Sequence, residues 1–225
     1  MECQSIIEKL KTISDPKTLE GMSRYGIKTD KAFGVSIPKI RLLAKQIEKD
    51  HNLALELWKS GFHETKFLAS MIDDPKKLTN EQMENWAKDF DSWDVCDQVC
   101  NNLFGKSPLA FDKVFEWSKR DEEFVKRAGY VLMAVLAVHD KTRADEDLFK
   151  FMPVIFNGST DERIYVKKAV NWALRQIGKR NLILHKKAIE YALDIQKIDS
   201  KSAKWIASDA LRELHNPKIL ERIKK

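Results

Sequence analysis

The stretch DSWDVCDQVC, residues 91–100, sets Asp94 and Asp97 beside Trp93 and two thiols, Cys96 and Cys100. A reaction centre, a metal site and the first turns of an ordinary buried helix are all open to such a set. Cys96-x-x-x-Cys100 with no histidine nearby is a poor zinc pattern. Read as a helix from Trp93 to Phe104, the segment places Val95, Cys96, Val99 and Leu103 on one core stripe, so both cysteines read as small core hydrophobes. Asp94 suits a helix start, where it can cap or meet the positive end. Asp97 lies one turn further in, an i+4 neighbour of Trp93, where that explanation fades. Asp97 is thus the carboxylate left without a local explanation.

A second set lies in DERIYVKKAVNWALRQIGKRN, residues 161–181. Val166, Ala169, Val170, Ala173, Leu174 and Ile177 fall at helical spacing and make one core stripe, which leaves Lys168, Trp172, Arg175 and Lys179 on the opposite side. Two readings of Trp172 stand at this point. A neighbouring repeat or the C-terminal helix covers it, or it presents an indole between cations to a nucleic-acid sugar or base. Arg127 opens an apolar helix whose nearby face is Tyr130, Ala134 and Ala137, small enough for another chain or a ligand to approach. A cation there needs a carboxylate or phosphate partner, so a structural ion pair, Asp97 being one candidate, and a ligand contact are both open.

The elements that must position these residues are helices. A third of the 225 residues are charged, while glycine and proline number 8 and 6, a composition that favours helix. Start signals stand at Asp15-Pro16, Ser36 before Pro38, Thr79-x-x-Gln82, Ser107-Pro108 and Thr160-x-x-Arg163, the last with Asp161 and Glu162 in its expected first turn. Breakers fall at Gly61, Asp74-Pro75, Gly105, Gly158 and Asn216-Pro217, and no segment alternates like a strand. Tryptophan-plus-lysine endings at Trp58, Trp86 and Trp117 recur 28 and 31 residues apart and read as the ends of three successive helices. FVKRA at 124–128 is echoed by YVKKA at 165–169, and ALRQI at 173–177 by ALREL at 210–214. Repeats of this length with two helices each predict an all-α, HEAT-like solenoid of antiparallel pairs. With no linker composition, residues 1–225 read as one domain.

Charge is distributed unevenly. Residues 160–225 hold 16 Lys/Arg against 8 Asp/Glu, a net +8, while residues 1–159 are at −2. That is the footprint of a polyanion-binding face, or of a set of solvated helix surfaces. Three cysteines without a disulfide-like framework fit a reducing cytoplasm. No uncharged apolar run approaches the ~18 residues of a membrane span, and the charged N-terminal stretch is no signal peptide. There is no glycine-rich phosphate loop, and the five histidines are scattered. No metal, nucleotide or redox cofactor is called for.

These motifs, in order, resemble the AlkD-type DNA alkylation-repair glycosylases, which are built of HEAT-like repeats. The resemblance runs over most of the chain: Met22-x-Arg24-Tyr25, Gly34-Val35-x-x-Pro38-x-x-Arg41, Trp93-Asp94-x-x-Asp97, Lys126-Arg127-Ala128 and Lys168-Ala169-x-x-Trp172-x-Leu174-Arg175. It weakens after Arg175. It implies excision of cationic N3- and N7-alkylated purines from double-stranded DNA without flipping the base, by a monomer whose concave face is basic. By position, Asp97 matches the family's catalytic aspartate, Trp93 and Trp172 the tryptophans at the lesion's deoxyribose, Arg127 a DNA-contacting arginine, and Tyr25 an N-terminal aromatic. Lys168, Arg175 and Lys179 are the expected phosphate contacts. Two rivals remain beside this reading. One is a non-catalytic HEAT-repeat protein for distorted or branched DNA; the other is a protein-binding HEAT scaffold.

Overall fold

Local chemistry sets most helix starts. In this computed structural model, which describes residues 2–223, the Asp15 carboxylate accepts from the Lys17 amide, with Pro16 as the first residue of its helix. Thr79 accepts from the Gln82 amide at 3.1 Å, Asn181 caps Leu184 and Ser200 caps Ala203. Each satisfies an amide that the first helical turn would leave without a partner. The start expected at Thr160 is displaced. That helix begins at Ile164, because the Asp161 carboxylate folds onto the Arg163 amide and guanidinium and holds the chain in a turn ahead of it. Asp161 and Glu162 therefore precede the helix and do not lie in its first turn.

The chain divides into two compact units, Met1–Leu109 and Ala110–Lys225, and no strand occurs among the described residues. The first holds α1 (Cys3–Thr12), α2 (Pro16–Arg24), α3 (Ile37–Ile47), α4 (His51–Lys59), α5 (His63–Ile72), α6 (Asn80–Lys88) and α7 (Trp93–Asn102), then a 3-10 turn at Phe104–Lys106. Helix α5 is its centre, packed on α3, α4 and α7. The second holds α8 (Ala110–Trp117), α9 (Glu123–His139), α10 (Asp145–Phe149), α11 (Phe151–Gly158), α12 (Ile164–Gly178), α13 (Leu182–Gln196), α14 (Lys201–Leu214) and α15 (Pro217–Ile223). There α9 packs on α8 and α12, and α12 on α13 and α14.

The repeats are HEAT-like helix pairs, and the sequence echoes mark equivalent places in them. Trp58 and Trp86 lie near the ends of α4 and α6. Both are buried, and their rings stack 4.0 Å apart with planes 2° from parallel. They close alternate helices, not successive ones: a spacing near 30 residues covers both helices of a pair, and α5 lies between them. In the second unit the echo of FVKRA and YVKKA is also a contact, since Phe124 and Tyr165 hold equivalent places and their ring centroids are 5.4 Å apart. Trp117 there is fully buried.

The predicted core stripe of α12 is buried throughout, and so are Cys96 and Cys100 on α7. Helix α9 departs from expectation. Tyr130, Ala134 and Ala137 are buried, so the small face beside Arg127 is filled by neighbouring helices, leaving no approach for a ligand. The packing of α9 on α8 is close enough that a Cβ on Gly129 would stand 2.7 Å from the Ser118 amide nitrogen. Only glycine fits there.

Candidate functional site

In the first unit the structure brings together Asp97, Trp93 and Tyr25. Trp93 begins α7, and its indole Nε1 donates to the Tyr25 carbonyl at 3.2 Å, across 68 residues of sequence. Tyr25 caps the C-terminus of α2 and leaves its own ring 71% exposed. Asp97 lies one turn beyond Trp93 on the same helix side and is half-buried. The set is therefore an indole and a carboxylate one turn apart on α7, tied to Tyr25 through its backbone carbonyl.

Asp94 is not available for chemistry. One of its oxygens accepts from Ser92 Oγ at 2.7 Å and the Val95 amide at 2.9 Å. The other meets His63 Nε2 at 2.9 Å. An ionised carboxylate only accepts, so this imidazole nitrogen carries the proton. Burial pushes the Asp94 carboxyl up, but the His63, Ser92 and Val95 donors outweigh it and hold it below the ordinary aspartate value. Asp94 thus fixes the first turn of α7, and with it the direction of Trp93.

Sequence reasoning missed the rest of this brace. Glu64, fully buried in the first turn of α5, accepts from the amides of Phe33, Gly34 and Val35 at 2.7–3.0 Å. A buried carboxylate needs such donors. Gly34 makes the approach possible with φ +75°, and a Cβ there would meet the Asp15 carbonyl at 2.4 Å. The Phe33 carbonyl in turn accepts from Ser14 Oγ and the Asp15 amide, which ties the loop to the start of α2. The Gly34-Val35 motif is therefore a backbone cradle for Glu64. Adjacent residues of α5, His63 and Glu64, hold the two chain segments that carry Trp93 and Tyr25.

The second unit holds the other candidates. Arg127 is buried and donates to the Tyr165 carbonyl at 2.5 Å, joining the second turn of α9 to the first turn of α12. Lys168 is exposed, while Trp172, Arg175 and Lys179 are half-buried. In the orientation that satisfies both ends of its amide, the Gln176 oxygen accepts from Trp172 Nε1 at 2.8 Å and Lys179 Nζ at 3.1 Å. Arg175 and Lys179 both pair with Glu213 of α14. Burial pushes the Glu213 carboxyl up, but its bonds to Lys179 and Arg175 dominate and hold it below the ordinary glutamate value. Asn171 reaches Asp209 of α14 at 2.7 Å. Two of the three expected phosphate contacts are thus already engaged by a carboxylate.

The basic surplus is smaller in practice than in sequence. Arg180 donates to the carbonyls of Ala137, Asp140 and Arg143 near the end of α9. Arg163 and Lys126 both pair with Asp161. Burial pushes the Asp161 carboxyl up, but these two cations prevail and bring it down to about 2. Among the described residues, no group of three or more His, Cys, Asp or Glu side chains is arranged to hold a metal. Among the same residues, no helix is long and apolar enough to cross a membrane.

Comparison with known proteins agrees with this architecture. The uncharacterized protein Lin0241 of Listeria innocua is 22% identical over 194 residues, 84% of each chain. A solved structure from a new family of proteins related to the HEAT-like repeat DNA glycosylases, with affinity for branched DNA structures, superposes with a TM-score of 0.79. It is 20% identical, and the match covers 94% of this chain and 95% of that one. At that identity the likeness establishes the helical-repeat fold. The family model of DNA alkylation repair enzymes matches residues 6–214, nearly the whole chain, and the protein belongs to that family.

Proposed function

We propose that the protein is a DNA-repair N-glycosylase that excises cationic N3- and N7-alkylated purines from duplex DNA, without flipping the base, and leaves an abasic site. The observation that carries the reading is the pairing of Asp97 with Trp93 on α7, the indole fixed by the Tyr25 carbonyl while the neighbouring Asp94 is consumed by His63, Ser92 and Val95. One carboxylate and one sugar-sized aromatic surface are what this reaction needs. An alkylated purine is already positively charged, so its departure requires little acid catalysis. The C1′–N bond breaks with its electron pair going to the purine nitrogen. The deoxyribose becomes oxocarbenium-like, and a water oxygen bonds to C1′ and loses a proton. Asp97 stabilises the developing positive charge and orients the water. The indole face of Trp93 adds cation–π attraction at the sugar, and in the second unit Lys168 contacts phosphate.

Release of free base from methylated duplex DNA tests the reading, with methyl, bulky cationic and neutral deaminated bases compared. Contacts at the sugar predict release of both cationic adducts and retention of the neutral base. Efficient removal of the neutral base, or rejection of the bulky one, would mean a closed base pocket and would overturn the account.

A second reading, a non-catalytic protein for branched DNA, is favoured by the affinity of the structurally similar family. Tight binding of junctions with no base release from any methylated substrate would select it.

A further inference from the structure

The tryptophan–cation stripe of α12 has a counterpart on α14. Ala203, Ile206, Ala207, Ala210 and Leu214 turn inward and are fully buried. The opposite side presents Lys201, Trp205, Ser208 and Arg212 at i, i+4, i+7 and i+11. Lys168, Trp172, Arg175 and Lys179 have the same spacing on α12. The two helices pack side by side, and their cross-links, Asn171 to Asp209 and Arg175 to Glu213, join residues 38 apart. That register sets Lys167 level with Trp205, and Lys167 Nζ lies 5.5 Å from the indole centroid.

Trp205 is 40% exposed, more than any of the other five tryptophans. A large aromatic left in water on a helix with a complete apolar face is not there for packing. Lys201, one turn before it on α14, and Lys168, next in sequence to Lys167 on α12, have no ion-pair partner among the described residues. An exposed π-face bordered by unneutralised cations suits a polyanion that also carries flat rings. Within a duplex each base face is covered by its neighbours, and a helix surface meets only sugars, phosphates and groove edges. A face free to stack on an indole belongs to an unpaired base.

We infer that the α14 stripe is a second nucleic-acid contact, in which Trp205 stacks on an unpaired base of a DNA arm while Lys201 and Lys168 engage its phosphates. The inference rests on the DNA-binding reading above and extends it from duplex to strands that leave the duplex. It takes no part in bond cleavage.

The test compares a forked duplex with a single-stranded arm against the same duplex fully paired, using the full chain and salt titrations. Trp205→Ala lowers affinity for the fork about fivefold or more, the scale of one lost stacked base, and changes duplex affinity less than about twofold. Trp205→Phe keeps a stacking face and holds fork affinity within about twofold of the parent. Lys201→Ala weakens the fork more than the paired duplex and reduces the salt slope on the fork by about one unit. Equal loss on fork and duplex, no loss on either, or a Trp205→Phe protein as weak as Trp205→Ala overturns the stacking contact. If the parent protein binds neither DNA, the DNA-binding reading falls as well, which separates that failure from failure of the stripe alone.

Discussion

Glu64 and Asp94 of the first unit end in backbone, hydroxyl and imidazole donors, whereas Arg175 and Lys179 of the α12 stripe end in ion pairs with another helix. Glu64 closes on three amides and Asp94 on a histidine; Arg175 and Lys179 close on Glu213. Buried hydrogen bonds in a low-dielectric interior hold geometry with little sensitivity to salt. Partly solvated ion pairs are screened and can exchange one anion for another. The first arrangement suits a reacting group that must stay still. The second suits cations that trade a carboxylate for a phosphate when a polyanion arrives. On the proposed reading, the first unit carries the chemistry and the second the grip.

The largest effect is expected from Asp97→Asn, which leaves fold and DNA affinity in place but lowers base release by roughly 10²-fold or more, the usual scale for a lost electrostatic stabiliser. Near-parental release would remove the chemistry from the first unit. Glu64→Ala comes next. It strips three buried amides of their acceptor, and chemical denaturation should record a loss of about 3 kcal/mol, at ~1 kcal/mol or more per orphaned donor. A neutral outcome would mean that the loop at 33–35 is not held by Glu64.

Glu213→Gln sharpens the comparison from the other side. With Arg175 and Lys179 freed of their carboxylate, duplex affinity at low salt should rise severalfold and the salt slope should steepen by about one to two units. Unchanged binding would place DNA elsewhere on the unit. Lys168 has no ion-pair partner among the described residues, so Lys168→Ala should only flatten that slope by about one unit, equally for every sequence.

The smallest effect is on pH dependence. Asp161 titrates at about 2 in the folded chain against roughly 3.9 unfolded. Its contribution is complete above the unfolded value and disappears as pH falls through the folded one. Asp161→Asn should therefore reduce stability at neutral pH and make the acid unfolding limb between about pH 4 and pH 2 shallower. An unaltered limb would show that Arg163 and Lys126 do not stabilise the folded carboxylate.

Sequence alone determined what depends on neighbours within a turn or two. Helical periodicity assigned the core stripe of α12, placed both α7 cysteines inside, and set Trp93 beside Asp97, because residues three or four apart share a helix face whatever surrounds them. Repeat spacing identified paired helices for a related reason: equivalent positions meet equivalent neighbours, as Phe124 and Tyr165 do. Residues far apart in sequence were out of reach of such rules. The Glu64 cradle joins residues about 30 apart, and the Glu213 pairs join residues 34 and 38 apart. Trp205 could have been found by matching the lysine–tryptophan spacing of the two stripes, which are offset by 33 residues, but the ALRQI–ALREL echo is offset by 37 and aligns the helices one turn out of phase. Which carboxylate is spent on a brace, which cation is already paired, and whether Arg127 faces water or protein depend on the register between helices. That register is fixed by side-chain packing over the whole unit, and only the tertiary structure decides it.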